Sequence, residues 1–249
     1  MNKLPPDIIM KIGLNLELSD LTNLCRLSSR FNKIICNNDI FWMNKFHKDI
    51  GYHKPTWKNF YTRIINSSPY ELMFEGILTG NLFLVKQVIT SNNDCINESL
   101  KINSKEYTPV EYASVKGRLD IIKYLVEQGA NIHAGIYGAL LLAGKNGHLE
   151  VVKYLVEQCG DDELDYALIK ASKHGYLDIV KYLVEHGADI YILDNDPLMA
   201  ASMNGHLEVV KYLVGQGGDI YSNNSCAWRL SKRNGHTAVV KYIESLNKN

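Results

Sequence analysis

Residues 147–158 read GHLEVVKYLVEQ and residues 205–216 read GHLEVVKYLVGQ. A third stretch, 117–128, reads GRLDIIKYLVEQ, and looser versions begin at Gly80, Gly175 and Gly235. From Gly117 onward these glycines stand 30, 28, 30 and 30 residues apart, whereas Gly80 to Gly117 is 37. Self-similarity at such a period marks an array in which every copy is one supersecondary unit. Six copies of about 30 residues fill the chain from about Tyr70 onward, the first degenerate and followed by a longer loop within residues 91–106.

Each copy has a readable shape. An alanine-bearing segment such as 197–204, PLMAASMN, precedes the glycine, and alanine lets two helices approach closely. Pro109 and Pro197 suit a first helical turn, where the missing N–H is not needed. The glycine permits the left-handed residue that ends helix one. In helix two, Leu149, Val152, Leu155 and Val156 fall on one face. GANI (129–132) or GADI (187–190) then turns the chain into the next copy. A lone copy cannot bury its apolar face, so the array is expected to be held by stacking.

Thr108-Pro109-Val110-Glu111-Tyr112-Ala113, the GHLEVVKYL core and the GADI turn resemble the ankyrin repeat over residues 70–249. The family's Thr-Pro-Leu-His survives only as Thr108-Pro109 and Asp196-Pro197-Leu198, and its histidine is Glu111 in one copy and Met199 in another. The resemblance therefore implies fewer hydrogen bonds between loops, and the 28 to 30 residue spacing implies shortened hairpins.

The first residues have another texture. Leu4-Pro5-Pro6-Asp7 opens a helix carrying Ile8, Ile9, Ile12 and Leu16, and Ser19 is a candidate cap for a second helix with Leu21, Leu24 and Leu27. Phe31, Phe41 and Trp42 follow. This order resembles an F-box over residues 1–48, with Asp7 for the family's Glu, Phe31 for its Trp and Gly13 for a leucine. Residues 49–69 read as a helical connector with an aromatic face at Trp57, Phe60 and Tyr61, ending at Ser67-Ser68-Pro69. The expected fold is all-α: a small three-helix F-box-like domain followed by an ankyrin solenoid of about six helix-turn-helix repeats with short hairpin loops.

Composition narrows the function. The 249 residues balance 27 Lys and Arg against 27 Asp and Glu, which argues against a nucleic-acid or membrane-surface binder. No run of 18 apolar residues exists, so a soluble protein is expected. Cys25, Cys36, Cys95, Cys159 and Cys226 are scattered without zinc-ligand spacing, pointing to a reducing compartment, the cytoplasm with the nucleus not excluded. His148, His206 and His236 share one repeat position, as expected of a structural bond near a helix start. The repeated Tyr124, Tyr154, Tyr182, Tyr212 and Tyr242 read as packing between units. The acidic run 161–163 reads as a solvated hairpin tip. No phosphate-cradling or nucleophile motif occurs, and no catalytic residue, cofactor or metal is expected.

The F-box resemblance implies a Skp1-type adaptor as partner, docked through Leu4, Pro5, Ile8, Ile9, Ile12, Leu16 and Leu21. Adjacent Ile8 and Ile9 cannot share one buried face, which leaves a surplus apolar residue for docking. The ankyrin resemblance implies a target protein held on the concave groove. There the residues before each repeat glycine include Lys116, Lys145, Asn146, Lys173, His174, Met203, Asn204 and Arg233. Cations recur in this row and acids do not, which suits an acidic partner, although a helix C-terminus also favours cations. Two functions stay open: a substrate receptor of a Skp1–cullin-type ubiquitin ligase, or a plain ankyrin scaffold or inhibitor whose N-terminal helices only cap the solenoid. The 23 asparagines, 23 isoleucines and 21 lysines, with the repeats, also resemble ankyrin proteins of amoeba-infecting giant viruses, implying a role in redirecting host ubiquitination in the host cytoplasm.

Overall fold

A computed structural model of the chain describes residues 69–91, 93–135, 138–158 and 161–246. The docking set Leu4, Pro5, Ile8, Ile9, Ile12, Leu16 and Leu21, and nearly all of the connector, lie outside the described residues. The chain divides into two units, residues 1–100 and 101–249.

In the first unit, α1 (Pro69–Thr79) and α2 (Leu82–Ser91) form a helical hairpin turning at Gly80, which has φ 72°. Asn81 caps α2 by accepting the Leu84 N–H at 3.0 Å. Met73, Phe74 and Ile77 of α1 are buried, as are Leu84, Val85, Val88 and Ile89 of α2. Gly76 lets the helices touch, because a Cβ there would sit 2.8 Å from Val85 Cγ2. A 3-10 turn (Asn93–Ile96) follows and buries Cys95 and Ile96. The described part of the longer loop expected within 91–106 continues into a two-stranded hairpin, β1 (Leu100–Ile102) and β2 (Lys105–Tyr107). Asn103 and Ser104 at its turn both have positive φ, as a two-residue hairpin turn requires.

Five helical pairs then follow: α3 (Pro109–Lys116) with α4 (Leu119–Glu127), and α5 (Ala139–Asn146) with α6 (Leu149–Val156). Next come α7 (Asp161–His174) with α8 (Leu177–Glu185), α9 (Ile192–Met203) with α10 (Leu207–Gly215), and α11 (Ser222–Arg233) with α12 (Thr237–Leu246). First helices pack on first helices far more extensively than second helices on second helices. Their sequences say why. Ala113, Ala143, Ala171 and Ala201 recur at one position, each fully buried, and so small a side chain brings neighbouring backbones together. At Gly144 a Cβ would lie 3.2 Å from the Ala167 carbonyl oxygen.

Two expectations are corrected here. The stripe Leu149, Val152, Leu155, Val156 is displaced: Val151, Val152 and Leu155 are buried, while Leu149 and Val156 are half-buried. The same triplet recurs as Ile121, Ile122, Leu125, as Ile179, Val180, Leu183, and as Val209, Val210, Leu213. A second helix covers both its own first helix and its neighbours, so its buried arc is broader than a single stripe. The acidic run is not a hairpin tip, because Asp161 begins α7 and the run forms that helix's first turn, where the helix dipole favours carboxylates. Pro197 does stand at a helix entrance, but the turn before it is left-handed at Leu193, Asp194 and Asn195.

Leu155 is fully buried, so Leu155→Ala should cost about 2–5 kcal/mol through the lost contacts and the cavity left behind. Urea unfolding of the full chain measures this, and a loss under about half a kcal/mol would contradict the packing described.

Candidate interaction surface

The residues preceding each repeat glycine line one edge of the second unit, at the C-terminal ends of the first helices. Lys173 and Arg233 are exposed, and Lys116 and Lys145 are half-buried. Lys116 Nζ lies 5.3 Å from the centre of the Tyr112 ring. Among the described residues, Lys153 pairs with Glu150 and Lys211 with Glu208, while no ion pair joins a carboxylate to Lys116, Lys145, Lys173 or Arg233. Three other members of the row serve their own helices. Asn146 donates its side-chain amide to the Leu142 carbonyl at 2.7 Å, and Asn204 donates to Ala200 at 2.8 Å. His174 Nδ1 bonds the Lys170 carbonyl at 2.9 Å, and its ring stacks on Tyr176. Each side chain thus folds back on a carbonyl one turn earlier in its own helix. Met203 is exposed, and its carbonyl accepts from Asn234 of the next repeat at 2.8 Å.

The repeated histidines hold this edge together, in a way the sequence does not suggest. His148 and His206 occupy the position before their helices yet make no side-chain cap there. Instead each Nε2 reaches the preceding repeat: His148 to the Val115 carbonyl at 3.0 Å, His206 to Lys173 at 3.0 Å and His236 to Met203 at 2.9 Å. A carbonyl oxygen only accepts, so Nε2 carries the proton. The preceding glycine makes room as well as supplying a positive φ. A Cβ on Gly117, Gly175 or Gly205 would strike the imidazole of the next repeat, and one on Gly147 would strike the Tyr176 ring. The tyrosine ladder also bridges units at one point, where Lys123 Nζ lies 5.6 Å from the Tyr154 ring centre.

The opposite ends of the first helices are also tied across units. Glu111, only 1% exposed, accepts the Thr108 N–H at 2.9 Å while Thr108 Oγ1 accepts the Glu111 N–H at 3.3 Å, a reciprocal cap. The second carboxylate oxygen accepts the N–H of Gly138 in the next repeat at 3.1 Å. Asp165 and Asn195, at a different repeat position from Glu111, make a second kind of cross-unit bond, accepting the N–H of Asp189 at 2.6 Å and of Asp219 at 3.1 Å. The T-x-x-E spacing of Thr108 and Glu111 was the available signal for the cap. No motif in the sequence marks Asp165 or Asn195 for the cross-unit role.

No group of three His, Cys, Asp or Glu able to hold a metal ion occurs among the described residues. Cys95 is buried, and burial pushes its thiol pKa up, away from the reactive thiolate. No helix among the described residues is long and apolar enough to cross a membrane.

Two family models match the chain. A model described as ankyrin repeats (many copies) matches residues 110–156, 140–183 and 164–214, and one described as F-box-like matches residues 1–48. The chain therefore carries ankyrin repeats behind an N-terminal F-box-like segment, the composition of a protein-interaction adaptor. The pair α11–α12 lies beyond the matched span and continues the same helix–glycine–helix pattern. No curated protein matches the chain, so the likeness to viral ankyrin proteins has no homologue behind it.

Glu111→Ala should lower stability by about 1–3 kcal/mol for each buried donor it leaves unsatisfied, with Glu111→Gln recovering part of the loss. Paired urea unfolding curves of the two variants test this.

Proposed function

We propose that this chain is a non-catalytic substrate receptor of a Skp1–cullin-type ubiquitin ligase, acting in the cytoplasm. The observation that carries the reading is the joining of an F-box-like segment, residues 1–48, to a stacked ankyrin array in one chain. In this reading Leu4, Pro5, Ile8, Ile9, Ile12, Leu16 and Leu21 dock a Skp1-type adaptor, and the array holds the protein to be modified. A row of like charges along one edge raises the local potential and favours a partner of opposite sign. Lys116, Lys145, Lys173 and Arg233, unpaired with any described carboxylate, therefore favour an acidic target segment, with Asn146, His174, Met203 and Asn204 as neighbouring contacts.

Ile9→Asp, or Leu4→Ala with Pro5→Ala, should abolish co-purification of Skp1 and cullin from cells while the array's thermal unfolding stays unchanged. If the unaltered chain brings down no Skp1, the scaffold reading, with N-terminal helices that only cap the repeats, takes its place.

Charge reversal of Lys145 and Lys173 to glutamate should sharply weaken target binding and remove its salt dependence. If the lysines serve only the helix dipole, the variant instead loses roughly 0.3–1 kcal/mol of stability per site and binds as before. Binding titrations at low and high salt, with an unfolding curve for each protein, distinguish the two.

A further inference from the structure

The turn entering α9 is strained, and the strain has a visible result. Leu193, Asp194 and Asn195 have φ of 49°, 57° and 70° with ψ of 49°, 49° and 33°, three successive left-handed residues without a glycine. Asparagine and aspartate visit this region through local hydrogen bonds, whereas leucine has no such group. The next repeat enforces the conformation. Asp219 N–H donates to Asn195 Oδ1 at 3.1 Å, and Ser222 Oγ donates to the Asp194 carbonyl at 3.1 Å. Strain persists where surrounding bonds over-determine it, and such outliers point to function.

The result is that Leu193 projects into solvent, 60% exposed, ahead of every other large apolar side chain among the described residues. Tyr221 at 56%, Tyr191 at 53% and Tyr166 at 50% accompany it. Bonds across units bring these turns together: Tyr191 Oη donates to the Gly217 carbonyl at 3.3 Å, and Asp165, beside Tyr166, accepts from Asp189. The same turn position is His133, Tyr191 and Tyr221 in the repeats that begin at Gly117, Gly175 and Gly205. His133 pairs with Glu163 of the following first helix at 2.6 Å. Tyr191 and Tyr221 present rings.

The charge of this edge is opposite to that of the cation row. Asp189, Asp194 and Asp219 are exposed in the same turns, and none forms an ion pair among the described residues. Lys170 faces Asp196 nearby. We propose that Tyr166, Tyr191, Leu193 and Tyr221, with Asp189, Asp194 and Asp219, form a docking edge for a basic peptide segment that also carries apolar side chains. An apolar side chain of the partner packs on Leu193 between tyrosine rings. Its arginines or lysines meet the carboxylates and the ring faces. The inference rests on the reading of the array as a protein-binding module, and it concerns the end of the first helices opposite the cation row.

The test uses the full chain and two short labelled peptides, one alternating leucine with arginine and one alternating leucine with glutamate. The leucine–arginine peptide should bind, more weakly as salt rises. Leu193→Gly suits the left-handed backbone and deletes the side chain, so binding should fall about tenfold while the melting temperature holds or rises. Asp189→Asn with Asp219→Asn keeps the Oδ1 acceptors for the Tyr191 and Tyr221 N–H groups, at 2.8 Å each, and removes only charge. That variant should bind weakly and lose its salt dependence. Lys145→Glu with Lys173→Glu should not reduce binding of this peptide. The proposal is overturned if neither peptide binds, if the tip variants bind the leucine–arginine peptide as the unaltered chain does, or if the leucine–glutamate peptide shows the same sensitivity to Leu193→Gly. Skp1 co-purification, measured on the same tip variants, should be unchanged, so failure of this proposal and failure of the adaptor reading remain separate results.

Discussion

Close packing of first helix on first helix is the constraint on which the second unit depends. Fully buried Ala113, Ala143, Ala171 and Ala201 occupy the contact, and a larger side chain at any of them would push two backbones apart. Four of the second helices, α4, α6, α8 and α10, then bury an apolar triplet ending in Leu125, Leu155, Leu183 or Leu213 in the space that this stacking creates. Interiors packed to this density tolerate little change of volume. That intolerance explains why the copies are most alike at the apolar triplets and the glycines, and differ at the turns.

Polar bonds set the register of the stack from its two edges. At one edge His148, His206 and His236 reach back to carbonyls of the preceding repeat. At the other, Glu111, Asp165 and Asn195 reach forward to backbone N–H groups of the next. Each bond spans a junction between units, so it adds to the interface between neighbours that governs the stability of a linear array. The same arrangement separates charge. Carboxylates gather where first helices begin and cations where they end, as the helix dipole favours. The two edges thereby differ in sign.

Much of this was legible in the sequence. The period, the glycine turns, the proline entrance at Pro109 and the apolar second helix all follow from local rules of spacing and backbone freedom. Each misreading has its own cause. A helical-face argument treats a helix as having a single buried side, so it chose Leu149 and Val156 over Val151. Likewise, a motif argument scored Glu111 as a lost histidine, although its carboxylate makes both the local cap and the cross-unit bond. The acidic run was assigned to a turn because charge alone does not distinguish a loop from a first helical turn.

What the sequence determined by itself is the unit: two short helices, the glycine between them and the apolar residues that demand a neighbour. These depend on contacts a few residues apart, and a regular repeat displays them several times over. What only the tertiary structure decided is how the units meet. The bond from His206 to Lys173 joins residues 33 positions apart, and the bond from Asp219 to Asn195 joins residues 24 apart. The left-handed turn at Leu193 exists because the following repeat holds Asp194 and Asn195 in place. No local preference of leucine would select that conformation, so the exposed edge it creates becomes visible only once the repeats are stacked.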